Sequence, residues 1–464
     1  MKIKFTSVAL SILLLFCFVF SANAAENTNS NPEFIRGVDI SSYISLKNSG
    51  VSFRDYEGNI LDDDGFFDFL KSCCINYVRL RIWNDPYDEN GNGYGGGNCD
   101  IDNACKIGKL ASKHGIKILA DFHLSDFWAD PSKQQAPKAW ENFSLAQKQD
   151  AVYEYIYSSL NTLKNNGVNV GMVQVGNEIN NGMCGETDYS NVCVLLKSGF
   201  DAVNAVDSKI LRAVHYTDPQ KNHFDWFADT LKENNVEYDV FSTSYYSYWH
   251  GSTENLTAEL KEIADKYDKY VMCAETAYPF TSEDSDFSSN TVIGNESDLK
   301  YPVNAYGQAK ALEDVFNAVK STGSKGIGVF YWEPAWITVG SNSYQQNYEL
   351  WEKYGSGWAS SFSGEYSEDG AKWHGGSSWD NQALFDKNGN PLESLKVFSK
   401  FADTSLKGDV NFDGILNIKD ATEIQKAAAQ IIYLTDEQIK IADFNDDGLV
   451  SVIDATLVQK EIVQ

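Results

Sequence analysis

Two short apolar runs in this chain each deliver a glutamate at the C-terminal end: Val173-Gln174-Val175-Gly176-Asn177-Glu178 and Val271-Met272-Cys273-Ala274-Glu275. A carboxylate in such a place costs several kcal/mol of desolvation unless it has a partner or a task. One of them alone reads as an ordinary loop residue. Two, one of them preceded by Asn, point to a paired-carboxylate active site.

The elements that must position this pair alternate along the chain. Strand-like runs fall at 34–41, 77–83, 116–123, 172–178, 211–216, 240–246, 270–276 and 327–332, with amphipathic segments such as 104–114 and 145–165 between them. Eight strands alternating with helices predict a (β/α)8 barrel, an α/β fold whose catalytic residues occupy the C-terminal strand ends. A doubly wound open sheet is the alternative. It would place a Gly-rich phosphate loop after its first strand, where Gly37-Val38-Asp39-Ile40-Ser41-Ser42 has none.

The same strand ends carry Arg79, Arg81, Asp121, His123, Asn177, His215, Tyr245, Tyr246 and Trp332. Two carboxylates beside Arg, Asn and Tyr suit a retaining glycosidase, where one protonates the leaving oxygen and the other attacks the anomeric carbon. The surroundings must then keep one carboxyl protonated and the other ionised. Trp128, Trp249, Trp332 and Trp336 are candidate platforms for sugar rings, whereas Trp140, Trp351 and Trp358 read as packing or loop anchors. Arg79 could equally pair a structural carboxylate, and His123 could be a satisfied core histidine. No G-x-S-x-G elbow, H-E-x-x-H helix or P-loop is present.

The first residues read as a secretory signal: Lys2 and Lys4, an apolar run from Val8 to Phe20, then Ala22-Asn23-Ala24. Cleavage is expected after Ala24, leaving a secreted protein with no other apolar run long enough to span a membrane. Of the 8 cysteines, Cys17 leaves with the signal. Cys99/Cys105 and Cys184/Cys193 are candidates for short disulfides in an exported protein, while Cys73, Cys74 and Cys273 read as buried thiols. A net charge of −27 argues against nucleic acid and anionic membranes as partners and favours cations. All 11 tryptophans lie between Trp83 and Trp379. The composition shift near Asp403 divides the chain into a catalytic region, 25–403, and a small module, 404–464, joined around Thr404-Ser405-Leu406-Lys407.

The runs Phe122-His123-Leu124-Ser125-Asp126-Phe127-Trp128-Ala129-Asp130-Pro131, Gly176-Asn177-Glu178-Ile179, Ser244-Tyr245-Tyr246-Ser247-Tyr248-Trp249-His250-Gly251 and Ala274-Glu275-Thr276 resemble endo-β-1,4-galactanases of glycoside hydrolase family 53. Phe330-Tyr331-Trp332-Glu333-Pro334-Ala335-Trp336 and the run from Trp379 to Asp386 continue the resemblance. It implies a retaining (β/α)8 enzyme cutting internal β-1,4 bonds of galactan, with a monomeric catalytic domain. Carried over, Glu178 is the acid/base and Glu275 the nucleophile. Asn177 holds the 2-hydroxyl, while Arg79 and one of Tyr245 and Tyr246 flank the nucleophile. Further substrate contacts fall to His123, Asp126, Trp128, Trp249 and Trp332. Related barrel cellulases and mannanases generally read Asn-Glu-Pro where this chain has Asn177-Glu178-Ile179. The resemblance also implies a calcium loop after the seventh strand. Asp284, Asp286, Ser288 and Asn290 occupy its ligand positions, with Ser288 where His is usual. A merely solvated acidic loop is the alternative there.

The small module carries oxygen donors at calcium-loop spacing: Asp409, Asn411, Asp413, the carbonyl of Ile415, Asn417 and Asp420. The pattern recurs as Asp443, Asn445, Asp447, the carbonyl of Leu449, Ser451 and Asp454, so two calcium ions are expected. An EF-hand pair would need entering helices and Glu at the last position, and both copies have Asp there. The module instead resembles a type I dockerin, which implies docking onto a cohesin of a cellulosome scaffold. Ile418, Val452 and Ile453 are its candidate docking contacts, with core packing the alternative. Two rival readings stand beside the galactanase: a non-catalytic carbohydrate-binding barrel, and an enzyme acting on β-mannan or β-glucan.

Overall fold

The computed structural model describes residues 32–294, 299–340, 343–402, 406–412 and 415–463. The expected signal (1–24), Thr404 and Ser405 of the linker, and the expected calcium ligand Asp413 lie outside the described residues.

Eight parallel strands close into a barrel in chain order. They are β1 (Ile35–Asp39), β2 (Tyr77–Ile82), β3 (Lys117–Phe122), β4 (Val170–Val175), β5 (Leu211–Tyr216), β6 (Val240–Ser244), β7 (Tyr270–Thr276) and β8 (Gly326–Trp332). The expected β5 and β7 match residue for residue, and the others differ by a few residues at their ends. Each strand is buried along most of its length, as a parallel sheet covered by helices on one face and filled with side chains on the other requires. The outer ring includes Ile101–Lys113 and Leu145–Asn165, the latter opened by a reciprocal Ser144/Gln147 capping box.

The barrel interior is filled in layers. Tyr77, Leu119, Met172, Ala213, Met272 and Phe330 form an apolar plug. Alternation along the strands then points Arg79 and Arg81 of β2 and Gln174 of β4 inward above that plug. A shift of register between β6 and β7, from Thr243↔Cys273 to Ser244↔Glu275, inserts Ala274 as an extra residue. This irregularity lets Ala274 join the apolar plug while Glu275 still enters the polar layer.

Among its described residues the tail has three helices, Ile418–Ala428, Asp436–Ala442 and Val452–Ile462. They close on a small core of Val410, Ala421, Ile424, Ala442, Ala455 and Val458. Ile418, Val452 and Ile453 stand outside it, each more than half exposed. The disulfides considered for Cys99/Cys105 and Cys184/Cys193 are not formed: all four are buried thiols. Cys99 Sγ is instead directed at the Gly96 carbonyl, at 3.2 Å. Among the described residues no helix is long and apolar enough to cross a membrane.

Candidate active site

A cleft of about 430 Å³ opens at the C-terminal end of the barrel. Glu178 and Glu275 both line it, with Trp128, Trp249, Trp332, Trp336, Trp358 and Trp379 around them. Six tryptophans beside two carboxyls give flat apolar faces next to groups that can move protons and attack carbon.

Glu275 sits on a prepared cationic floor. The Arg79 guanidinium lies 2.7 Å from Oε1, and the Tyr246 hydroxyl donates to Oε2 at 3.0 Å. Arg79 is fully buried and is held by Asp39 at 3.0 Å and Asp121 at 2.8 Å. Burial, joined by the Glu275 charge, pushes the Tyr246 hydroxyl well up, so it remains a donor at neutral pH.

Glu178 has a different setting. Burial pushes its carboxyl up to about 8, and the charge of Glu275 adds to the push. Burial also raises Glu275, but Arg79 and the Tyr246 hydroxyl oppose the rise there. A single proton shared by the pair therefore rests on Glu178. The backbone at Glu178 is left-handed, with φ 46° and ψ 53°, which swings its side chain out over the cleft. Gly176 precedes it at φ 79°, where a Cβ would come within 2.5 Å of Ile179 and 2.6 Å of the Met183 sulfur. Only glycine fits there.

Asn177 is pinned from several sides. Its Oδ1 accepts from Arg79 at 2.7 Å and from the Gln174 amide at 3.1 Å, and its Nδ2 donates to the Ala129 carbonyl at 2.8 Å. His215 Nδ1 lies 2.9 Å from the same oxygen. His215 is fully buried, and burial followed by the Arg79 charge drives its imidazole well below the usual range, so it is neutral. His123 Nδ1 accepts from Trp83 Nε1 and from the Ala129 amide, both at 3.2 Å, which leaves Nε2 to donate to Asp121 at 3.0 Å.

A second buried ion pair underlies the tryptophans. Arg81 pairs with Glu333 at 2.6 Å and stands 4.5 Å from the centre of the Trp128 ring and 5.5 Å from that of Trp332. Glu333 also accepts from the Ser42 amide at 3.2 Å and from its hydroxyl at 2.5 Å, tying the ends of β8, β1 and β2 together.

Two expected substrate contacts are placed elsewhere. Asp126 is fully buried and does not line the cleft. Its oxygens accept from the backbone amides of Asp85 at 2.9 Å and Lys138 at 2.7 Å, so it brackets two loops. Tyr245 is also fully buried and donates to the Gly251 carbonyl at 2.9 Å. Tyr245 meets Glu275 only through its amide, which donates to the Glu275 carbonyl at 2.8 Å, so the hydroxyl at the Glu275 carboxylate is that of Tyr246. Trp358, expected to be an anchor, lines the cleft, with its carbonyl accepting from Trp128 Nε1 at 2.9 Å. Trp336, expected to be a platform, is 1 % exposed and backs the Trp128 ring with its own, nearly parallel at 6.2 Å. The sequence reading does not single out Gln174, a neutral residue within β4, or Glu333, a glutamate directly after β8 whose carboxylate is taken up by Arg81.

The acidic loop after β7 is not simply solvated. Asp286 is fully buried, and burial with the neighbouring Asp380 charge pushes it up to about 8. Its oxygens accept from the Ser377 and Ser288 amides at 2.6 and 2.8 Å. Asp380, not singled out from the sequence, is likewise pushed up, to about 6, by burial first. Asn290 Oδ1 and Ser377 Oγ are buried there without a hydrogen-bond partner. Two raised carboxyls and two orphaned oxygens are a donor set that a hard cation satisfies. Asp284 and Ser288 are more open: Asp284 Oδ1 accepts from the Asp286 amide at 3.2 Å.

In the second tail loop the Asp443 carboxylate accepts from the amides of Asp447 at 3.0 Å and Gly448 at 2.7 Å, with Gly448 at φ 86°. Asn445 Oδ1 accepts from the Asp447 amide at 3.0 Å. Buried Asp454 accepts from Phe444 at 2.9 Å and Ser451 at 2.8 Å, and Asp420 from Asn417 at 2.9 Å in the first loop. The oxygens face backbone donors, and among the described residues no three carboxyl, imidazole or thiol groups converge as metal ligands do. The all-oxygen set and the left-handed sixth-position glycine nevertheless suit calcium chemistry.

Comparison with known proteins places both parts. Residues 35–398 match the family model described as Glycosyl hydrolase family 53, and residues 407–463 match the Dockerin type I domain. An endo-beta-1,4-galactanase of Bacillus subtilis is 53 % identical over 371 residues, covering 79 % of this chain and 86 % of the relative. An arabinogalactan endo-beta-1,4-galactanase of Cellvibrio japonicus is 31 % identical, covering 83 % and 96 %. Among solved structures, the GH53 catalytic domain of Ignisphaera aggregans superposes with a TM-score of 0.71 at 36 % identity, covering 80 % of this chain and 97 % of that one. With its closed eight-stranded barrel and its two glutamates in one tryptophan-lined cleft, the chain belongs to glycosyl hydrolase family 53 and carries a C-terminal type I dockerin domain.

Proposed function

We propose that this protein is an exported, retaining endo-β-1,4-galactanase. The observation that carries the reading is the unequal setting of the two cleft glutamates. Glu275 has Arg79 at 2.7 Å and a phenol donor at 3.0 Å, while Glu178 is pushed up to about 8. The substrate class rests on the galactanases among its relatives.

In this mechanism the ionised Glu275 attacks the anomeric carbon and forms an ester bond as the glycosidic C–O bond breaks. Glu178 gives its proton to the departing oxygen, so the shortened chain leaves as a neutral alcohol. Glu178, now a carboxylate, takes a proton from water. The water oxygen attacks the same carbon, the ester breaks, and Glu275 is returned. Arg79 lowers the proton affinity of the nucleophile. Asn177, with both ends of its amide pinned, presents a fixed edge to the 2-hydroxyl. Trp332 lies under the sugar at the cleavage point, and Trp249, 48 % exposed, is a platform at the cleft mouth.

The tail is assigned as a dockerin of residues 404–464 after a catalytic region of 25–403. Its loops take two calcium ions, and its exposed Ile418, Val452 and Ile453 meet a cohesin on a scaffold. The loop after β7 holds a further calcium through Asp284, Asp286, Ser288 and Asn290, with Asp380 nearby. The test of the activity is release of reducing ends from linear β-1,4-galactan, with mannan and carboxymethyl-cellulose in parallel. Oligosaccharides from galactan alone support the reading. Activity on another β-glycan moves the substrate, and binding of galactan without turnover supports the carbohydrate-binding barrel.

A further inference from the structure

Glu178 is a non-glycine residue held at φ 46° and ψ 53°, a left-handed conformation that persists only where the surroundings enforce it. The side chain of Asn177 is gripped by Arg79, Gln174 and the Ala129 carbonyl, whereas from inside the barrel the Glu178 backbone meets the His215 ring through its amide, 3.4 Å from Nδ1, with its carbonyl left to other partners. The restraint on that carbonyl side comes from the loop after β3. Gln134 Nε2 donates to the Asn177 carbonyl at 2.8 Å and approaches the Glu178 carbonyl at 3.3 Å, with the Asp130 carbonyl at 3.0 Å. The Gln134 carbonyl in turn accepts from the Gly185 amide at 2.5 Å, fixing its own loop to the segment that follows Glu178.

The other end of the same amide is telling. Gln134 Oε1 is buried with no hydrogen-bond partner. Such an orphan is destabilising, and turning the amide over would not relieve it, since Oε1 would then face three carbonyl oxygens. The side chain is placed for its donors at the expense of its acceptor. Gln134 does not line the cleft that holds the two glutamates, so it acts on them only through the backbone.

We propose that Gln134 is the positioning residue of the acid/base glutamate: its amide clamps the Asn177 and Glu178 carbonyls and so holds the left-handed turn that aims Glu178 at the leaving oxygen. This rests on the glycosidase reading above. A positioning role for the proton donor has a signature that general loop support lacks. Loss of aim matters where the leaving group needs a proton and not where it leaves unaided.

The experiment compares wild type with Gln134→Met, which keeps length but removes both donors, and with Gln134→Glu, which keeps shape. Each is assayed on galactan and on a 2,4-dinitrophenyl β-galactobioside. In both variants kcat/KM on galactan is expected to fall about tenfold to hundredfold while kcat/KM on the activated substrate holds. A parallel fall on both substrates, or no fall on either, overturns the proposal. A crystal structure of each variant supplies a readout free of activity. Relaxation of Glu178 out of the left-handed region with the Arg79–Glu275 pair intact supports the clamp, and an unmoved Asn177–Glu178 turn overturns it. Wild type inactive on both substrates would sink the glycosidase reading, and the crystallographic comparison would still decide the clamp.

Discussion

The barrel and the tail of this protein both concentrate carboxylates, and they handle them in opposite ways. In the barrel, Asp39, Asp121, Glu275 and Glu333 are buried against Arg79 and Arg81, so each has a protein cation as a direct partner. In the second tail loop Asp443 and Asp447 accept backbone and amide N–H groups, and among the described residues neither pairs with a lysine or arginine. The barrel region has a large apolar cluster between sheet and helices besides its inner plug, whereas the tail closes on six fully buried apolar residues. A domain that small usually needs a metal or a cross-link to be stable. The contrast teaches how each region holds its carboxylates: the barrel sets them against buried guanidiniums, and the second tail loop sets Asp443 and Asp447 against N–H donors, with Lys407 meeting only the neighbouring Asp446.

The largest effect that could break this contrast is at the nucleophile. Glu275→Gln should lower turnover on galactan by about 10⁴-fold or more while leaving galactan binding and the tail unchanged. Arg79→Met comes next, because it leaves Asp121 and Glu275 in the interior without their arginine, while Asp39 keeps only Arg81 at 3.3 Å. Loss of one partner of a buried pair costs about 3–5 kcal/mol, so thermal unfolding should show the barrel transition falling and the tail transition unmoved. Calcium removal should do the reverse. With EGTA, the tail helices should lose ellipticity and cohesin binding, while the barrel shifts only by what the loop after β7 contributes. Equal loss in both transitions would erase the contrast.

A smaller effect concerns pH. The Glu178 carboxyl, normally near 4.5, is raised to about 8, so the folded state binds a proton that the unfolded state has released. Stability from that group is complete below about 4.5 and is lost as pH rises towards 8. Glu178→Gln should therefore raise Tm relative to wild type at pH 7–8, and the difference should vanish near pH 4. A constant difference across that range would show that the raised proton affinity is misassigned. Least of all, Trp249→Ala should raise KM on galactan by several-fold with kcat nearly kept, because the ring is a half-exposed platform and holds up no core.

Much of this was legible in the sequence because apolar periodicity and strand-end chemistry are local. The eight strands, the Glu178/Glu275 pair, Asn177 and the two tail loops all announce themselves over a few residues. What stayed hidden is what tertiary geometry decides. The Ala274 irregularity that admits Glu275 to the polar layer looks like any other strand residue. Tyr245 and Tyr246 are indistinguishable as letters, and the path of the chain just past β6 brings the Tyr246 hydroxyl, not that of Tyr245, to the carboxylate. Asp126 reads as a cleft residue because its neighbours are, yet its carboxylate is consumed by two backbone amides. Asp380 and Asp284 are far apart in sequence, so the buried charge beside Asp286 could not be foreseen from either run.

The central claim is that the two cleft glutamates divide the work, with Glu275 forming the covalent bond and Glu178 moving the proton. It is tested most directly by trapping the enzyme with a 2-deoxy-2-fluoro-β-galactobioside bearing a dinitrophenyl leaving group, followed by peptide mass mapping. The account predicts one added disaccharide on the peptide that carries Glu275 and none on the peptide that carries Glu178. An adduct on Glu178, or rapid turnover of the wild type on galactan with no adduct anywhere, would contradict it.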